Sequence, residues 1–166
     1  MRVFQGDSDD VSVLRVLEGE EVRKRILIVD DGEEVRQVLR AVVEARTDYE
    51  ICGEAANGVE AVGKALELKP DLILLDVAMP MLNGVEVASV LAGAMPDLPI
   101  VLYTMYSEML GLSLATAVGA KAVISKADGI GKLLECLGSL LEPKPQSASP
   151  GVTARSVPLK PPTAAK

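Results

Sequence analysis

The polar side chains that could do chemistry in this 166-residue chain stand at the ends of aliphatic runs. Asp30 and Asp31 follow one run, Asp76 and Lys126 each follow another, and Thr104 closes a fourth. The chain contains no histidine, so its chemistry has to use carboxylates, hydroxyls, amines and metal ions held by oxygen. Carboxylate ligands without histidine or thiolate suit a hard cation, and Mg²⁺ best of all.

The elements that must position these residues alternate along the chain. Short aliphatic runs predict five strands, at 25–29, 50–56, 71–75, 99–104 and 121–125. Helical spacing of apolar residues predicts a helix after each strand, at about 35–43, 59–66, 84–91, 108–118 and 130–141. Pro70 should stop the second helix, Gly119 cap the end of the fourth, and Asp128 cap the start of the fifth. The pattern predicts an α/β fold, a doubly wound five-stranded parallel sheet with helices on both faces.

In such a sheet, ligands bind beyond the carboxyl ends of the strands, so the five polar residues should converge there. Three acids at one place raise each other's pKa and cost free energy unless a cation lies among them. Each residue also has an ordinary interpretation. Asp30 or Asp31 could cap the first helix, Asp76 could be a turn residue, Thr104 a strand residue and Lys126 a surface lysine. Their coincidence at successive strand ends favours a site.

Composition bounds the class of protein. Hydrophobic residues make up 49% and aromatics 2%, which indicates an aliphatic core of the kind that parallel sheets have. No apolar run is long enough to insert in a membrane and no signal pattern opens the chain, so we expect a cytoplasmic protein. A net charge of −7 argues against direct binding to nucleic acid. Cys52 and Cys136 are predicted to be buried thiols rather than metal ligands.

The flanks differ from the centre. Residues 1–24 are predicted to be a flexible extension or a short helix. Residues 143–166 hold six of the ten prolines, which predicts a disordered tail. The tail is basic and could touch an acidic partner, although an inert tail is the favoured interpretation.

Four segments carry a resemblance to a known family. RILIVDD (25–31), DLILLDVAMPMLNG (71–84), VLYT (101–104) and GAKAVISK (119–126) resemble the response-regulator receiver domain, which has a flavodoxin-like fold. The resemblance covers about 25–142, and the third-strand motif with its following Met-Pro and Asn-Gly is the most specific part.

The resemblance implies a reaction. Asp76 would accept a phosphoryl group from a histidine kinase or phosphotransfer protein. Mg²⁺ would be held by Asp30, Asp31, Asp76 and the backbone carbonyl of Ala78, with Asp30 acting largely through water. Lys126 and Thr104 would stabilise the phosphate, and Thr104 would pull its loop inward.

The sequence departs from the family at two switch positions. Val123 stands where the family usually has an aromatic that rotates on activation, and Tyr103 or Tyr106 is a possible substitute. Met105 stands where a small residue is usual and could narrow access to Asp76. Gly111 in the fourth helix indicates either a mobile element or close packing.

Three functions remain to be separated. The first is a single-domain receiver that switches by phosphorylation and signals by binding an unknown target protein, since no output domain is recognisable after Leu141. The second is a docking module of the same fold that no longer switches, which Val123 and Met105 favour. The third is a phosphatase with an aspartate nucleophile. It is disfavoured because Ala78 stands where that chemistry needs a second acid, and we expect no enzyme beyond self-modification.

Overall fold

A computed structural model describes residues 22–142. The predictions for the first 21 residues and for 143–166 lie outside the described part. Five strands and five α-helices alternate, with a short 3₁₀ helix, Lys126–Asp128, after the last strand. The elements are β1 Arg25–Val29, α1 Glu33–Arg46, β2 Glu50–Ala55, α2 Gly58–Leu68, β3 Leu72–Leu75, α3 Gly84–Ala94, β4 Ile100–Thr104, α4 Ser107–Ala117, β5 Ala122–Ser125 and α5 Ile130–Leu141.

The sheet confirms the predicted topology. Its strand order is β2-β1-β3-β4-β5, and every pairing is parallel. The chain moves outward from β1 to one edge and returns through β3 to the other, so all five strands end at the same rim. The central strands β1, β3 and β4 are almost wholly buried because helices cover both faces.

Side chains that alternate along the strands form two separate cores. On one face, α2, α3 and α4 pack on Leu27, Val29, Ile73, Leu75 and Leu102. On the other face, α1 and α5 pack on alternate residues, which include Ile26, Ile28, Leu74, Val101 and Tyr103. The two faces therefore meet different helices, and the direction of each strand residue decides which helices it can affect.

The predicted cap of α5 was wrong, and the alternative interpretation of Asp30 or Asp31 as a cap of α1 is excluded. The N-cap of α5 is Gly129, with φ of 82°, and no side chain caps it. Asp128 lies in the 3₁₀ helix and pairs with Lys132 at 2.8 Å. Neither Asp30 nor Asp31 caps α1, whose N-cap is Gly32 without a side-chain cap bond. Predicted strand ends agree with the structure to within a residue, and α2 ends at Leu68, as the proline required.

The fourth helix is broken inside. Gly111 has φ of 61° and ψ of 151°, far from helical values, so α4 consists of two short helical pieces. A Cβ at Gly111 would meet no atom within 4 Å, so close packing does not explain the glycine. The structure thus excludes close packing as the reason for Gly111 and shows a break in the helix, while the mobility of this element stays a prediction.

Cys52 and Cys136 are free and only partly buried, each at the margin of a core, which corrects the expectation of fully buried thiols. Within residues 22–142, every helix is too short or too polar to cross a bilayer.

Candidate functional site

Three carboxylates meet at the carboxyl ends of β1 and β3. Ligand oxygens of Asp30, Asp31 and Asp76 lie within 4.8 Å of one another. Asp30 and Asp76 are 3% and 5% exposed, whereas Asp31 is exposed. The two strands are paired side by side up to Val29 and Leu75, and the Asp76 N–H donates to the Val29 carbonyl at 2.8 Å. The sheet register thus places the buried acids next to each other.

A single cation reaches both buried acids. The Lys126 Nζ lies 2.6 Å from Asp30 Oδ2 and 3.3 Å from Asp76 Oδ2. Lys126 follows the edge strand β5 and extends over the ring of Tyr103, with its Nζ 5.9 Å from the ring centroid. The Lys126 side chain is only 16% exposed, which excludes the alternative interpretation of an ordinary surface lysine.

Burial and neighbouring charges act in opposite directions on the pKa values of Asp76 and Lys126. Burial raises the pKa of Asp76, the Lys126 ammonium lowers it, and the nearby Asp30 charge raises it again, so the net shift is upward. For Lys126, burial favours the neutral amine. The hydrogen bond to Asp30 and the charge of Asp76 outweigh burial and hold the lysine pKa above its ordinary value. The site therefore contains more negative charge than one ammonium can offset.

Thr104 closes β4 at the same rim. It is fully buried, and its Oγ1 accepts a hydrogen bond from the Tyr106 N–H at 3.2 Å. This bond ties the hydroxyl to the loop that leads into α4. Met105 lies between them with 63% of its surface exposed, so its side chain points away from the core. A change in the hydrogen bonding of the Thr104 hydroxyl would therefore act first on the start of α4.

The loop after Asp76 is held close to the Asp76 carboxylate. Asp76 Oδ1 accepts from the Val77 N–H at 2.8 Å, and the Gly84 N–H donates to the Val77 carbonyl at 3.0 Å. A Cβ on Gly84 would collide with the Asp76 backbone carbonyl, which explains the glycine. Ala78, the predicted carbonyl ligand, is exposed in this loop, and its role stays a prediction.

The two substitutes for the switch aromatic lie in different places. Val123 packs on the core under α2, α3 and α4. Tyr103 packs on the opposite core, under α1 and α5, so it cannot occupy the space beside Val123. Tyr106 stands at the N-cap of α4, is 51% exposed and belongs to neither core.

An ion-pair network lies behind the acids, and the sequence analysis missed it. The Arg36 Nη1 donates to the backbone carbonyl of Asp30 at 2.7 Å, and its Nε donates to Glu54 Oε2 at 3.1 Å. Arg40 holds the other carboxylate oxygen of Glu54 at 2.7 Å. The predicted strand 50–56 contains two acidic residues, Glu50 and Glu54, and nothing in the sequence marks Glu54 as the one that pairs with both arginines.

The donor set fits Mg²⁺. The cluster offers carboxylate oxygens without nitrogen or sulfur, and two of its three acids are buried, where they need a counter-charge. Such all-oxygen sites prefer hard divalent cations. Asp30, Asp31 and Asp76 would hold the ion. Because Asp31 is exposed, the ion would be accessible to solvent and to a phosphate on that side.

Comparison with known proteins gives the same answer as the geometry. The model of the family described as "Response regulator receiver domain" matches residues 26–137. Chemotaxis protein CheY of Thermotoga maritima is 34% identical over 95 residues, which are 57% of this chain and 79% of CheY. A crystal structure of response regulator TrrA of the same organism, in complex with Mg(2+)-BeF, has a TM-score of 0.65 and 34% identity and covers 71% of this chain and 99% of its own.

Other relatives are much longer. The protein-glutamate methylesterase/protein-glutamine glutaminase of Thermotoga maritima is 37% identical over 93 residues, or 55% of this chain and 27% of that protein. The chain spans less than half the length of the first relatives it matches, which include regulators of transcription. The family match at residues 26–137 includes the three acids, Thr104 and Lys126. On this evidence, the chain belongs to the response regulator receiver domain family of two-component systems.

Proposed function

We propose that the chain is a phosphoacceptor switch. Asp76 takes a phosphoryl group from the phosphohistidine of a kinase or phosphotransfer protein in a reaction that depends on Mg²⁺. The observation that carries the proposal is the convergence of two buried acids and an ammonium. Lys126 Nζ lies 3.3 Å from the Asp76 carboxylate, inside a cluster of acids spanning 4.8 Å. The Mg(2+)-BeF complex of TrrA supports the choice of ion.

The residues divide the work of an in-line transfer. A carboxylate oxygen of Asp76 attacks the phosphorus, the P–N bond to the partner's imidazole breaks, and an aspartyl phosphate forms. The Lys126 ammonium offsets negative charge on the transferring oxygens. The Thr104 hydroxyl donates a hydrogen bond to a phosphate oxygen and pulls its loop inward. Asp30, Asp31 and Asp76 would hold Mg²⁺, which would supply further positive charge beside the transferring phosphoryl group.

The test is phosphorylation with a small phosphodonor and Mg²⁺, followed by intact-mass measurement. The wild type should gain the mass of one phosphoryl group in an acid-labile form, and Asp76→Asn should gain none. If the wild type stays unmodified at saturating donor and Mg²⁺, the proposed reaction is wrong.

Phosphorylation adds roughly −1.5 to −2 charge at a buried point, and the signal then leaves through contacts with a target protein in the cytoplasm. The loop from Thr104 to α4 is the first element affected, and the break at Gly111 allows its first piece to move separately. The acidic surface makes direct contact with nucleic acid by these residues unfavourable.

A docking module that does not switch is the second candidate. Val123 offers no ring to rotate, and Met105 is 63% exposed beside the switch hydroxyl. This candidate predicts that a partner captured by the wild type binds equally well to the phosphorylated protein and to Asp76→Ala. The leading proposal predicts that phosphorylation changes the binding of the wild type and that treatment with the phosphodonor leaves the binding of Asp76→Ala unchanged.

Turnover of outside phosphate esters is not part of the proposal. Ala78 supplies no acid two residues after Asp76, so nothing at that position would protonate a leaving alcohol. We expect only self-modification and slow loss of the phosphate, which an assay with ordinary phosphoesters checks.

A further inference from the structure

We propose that Arg36 is a positioning residue, which holds the peptide of Asp30 so that its carboxylate faces Lys126 and the metal site. Arg36 touches neither the phosphoryl group nor the proposed ion, and it acts through Asp30. This inference rests on the proposed function and adds to it a residue on α1.

Every polar atom of Asp30 has a hydrogen-bond partner. Its N–H donates to the Ala55 carbonyl at 3.1 Å, and its Oδ1 accepts from the Gly32 N–H at 2.9 Å. Its Oδ2 binds Lys126 at 2.6 Å. The backbone carbonyl lies past the last residue of β1, where the sheet ladder has ended, and it accepts from Arg36 at 2.7 Å. Arg36 therefore fixes the one remaining polar atom of Asp30.

Arg36 is itself held in place. Its side chain is only 14% exposed, and its Nε donates to Glu54 on β2 while its Nη1 reaches Asp30. The planar guanidinium makes both bonds with fixed geometry, which a flexible ammonium could not reproduce. The Glu54 pKa is low because its bonds to Arg40 and Arg36 outweigh the largest single effect, burial, which raises it. The anchor thus stays charged at neutral pH.

Arg36 has a role beyond its ion pair with Glu54. Arg40 already binds Glu54 at 2.7 Å, one turn further along α1, and it also reaches Glu44 and the Ile51 carbonyl. Arg40 makes no bond to Asp30. If pairing with Glu54 were the whole role, Arg36 and Arg40 would be equivalent. The bond to Asp30 distinguishes them and makes Arg40 a matched control.

The test measures Mg²⁺ affinity rather than phosphorylation alone. The chain has no tryptophan and Tyr103 lies below Lys126, so Tb³⁺ bound at the site can be sensitised by tyrosine and displaced by Mg²⁺. Partners that orient metal ligands typically affect metal affinity by about 10- to 100-fold. We expect Arg36→Gln to weaken Mg²⁺ binding about 10-fold, Arg36→Lys to weaken it less, and Arg40→Gln to change it less than 2-fold.

Three results would overturn the inference. Unchanged Mg²⁺ affinity in Arg36→Gln would do so, and so would equal losses in the Arg36 and Arg40 variants, because that pattern indicates lost charge rather than position. If Arg36→Gln does not fold, Arg36→Lys and Arg40→Lys give the same comparison, and equal affinities there would also contradict the proposal.

Phosphorylation of the wild type is followed in parallel. If the wild type binds Mg²⁺ and gains phosphate while Arg36→Gln behaves like it, only the positioning role fails. If the wild type binds no Mg²⁺ at all, the proposed function fails and the positioning role fails with it.

Discussion

Asp76 carries its carboxylate in a buried position beside a second buried acid, an arrangement that costs stability in the absence of a metal. Burial raises its pKa, and the charge of Asp30 adds to the shift, while Lys126 opposes it. A group arranged in this way is typical of a functional site, because folding alone gains nothing from two adjacent buried carboxylates.

Without Mg²⁺ at pH 7, Asp76→Asn should unfold at a higher urea concentration than the wild type. A raised pKa in the folded state means that the ionised acid destabilises the fold. This cost is present above the folded pKa, and it vanishes as the pH falls below the ordinary value of 3.8, where the acid is protonated in both states. The stability difference should therefore disappear at low pH.

Magnesium should reverse the order. At about 100 times its dissociation constant, an ion that binds only the folded state stabilises it by about 2.7 kcal/mol. The wild type should gain this amount and Asp76→Asn much less. Equal gains in the two proteins would place the ion elsewhere.

Lys126→Met should slow phosphoryl transfer to Asp76 on the order of 10²-fold, the usual cost of losing one group that stabilises charge in the transition state. Mg²⁺ affinity should stay the same or rise, because the ion then replaces the lost ammonium. Rates from a small phosphodonor and Mg²⁺ titrations check both parts. Lys132→Met, which removes an exposed lysine paired with Asp128, is the control and should transfer at the wild-type rate.

Among the elements, α3 carries the clearest local device. Asn83 accepts hydrogen bonds from the Val85 and Glu86 N–H groups, each at 3.0 Å, and the Glu86 carboxylate accepts from the Asn83 N–H. This capping box starts α3 immediately before the close contact of Gly84 with Asp76. The cap therefore also fixes the loop that carries Ala78.

Asn83→Ala should lower the free energy of unfolding by about 1 kcal/mol, because two helix N–H groups lose their acceptor. Asn83→Ser keeps an oxygen acceptor and should remain close to the wild type. Urea unfolding measures both variants. A loss of the same size in the serine variant would show that the capping bonds are not the cause.

At the level of elements, much was accessible from sequence because hydrophobic periodicity is a local signal. The aliphatic runs before Asp30 and Asp76 predicted both strands and their common rim. The predicted cap of α5 was wrong, although the helix begins at Ile130 as predicted. An aspartate near a helix start usually caps it, but here Asp128 lies in a 3₁₀ turn and pairs with Lys132 instead. The bond from Arg36 to Asp30 could not be foreseen, since nothing in the sequence encodes which backbone carbonyl a long side chain will reach.

At the scale of the molecule, Glu54 connects the edge strand β2 to α1 through both of its oxygens. Arg36 and Arg40 each hold one oxygen, and the Lys64 ammonium of α2 donates to the Glu54 backbone carbonyl. The network ties one edge of the sheet to helices on both faces. It is a contact between distant segments, so it belongs to the tertiary structure and not to any single element.

Glu54→Gln should destabilise the protein by about 1–3 kcal/mol at pH 7, the usual value for hydrogen bonds to charged groups. The pKa of Glu54 is lowered in the fold, so its contribution is present above the ordinary value of 4.5 and is lost as the pH falls through the lower folded pKa. Unfolding curves of the two proteins should converge in acid. Glu44→Gln, whose partner Arg40 lies 3.3 Å away at an exposed site, should cost less than 1 kcal/mol.

The break in α4 at Gly111 has a consequence for the timing of the response. Each piece of the helix is shorter than a peptide that keeps helical structure in isolation, so each depends on its contacts with the sheet to stay ordered. The first piece begins directly after the loop bound to Thr104. The amide protons of this first piece should therefore exchange with solvent faster than those of the continuous α5. Phosphorylation should change the exchange rate of the first piece before it changes the exchange rate of any other helix.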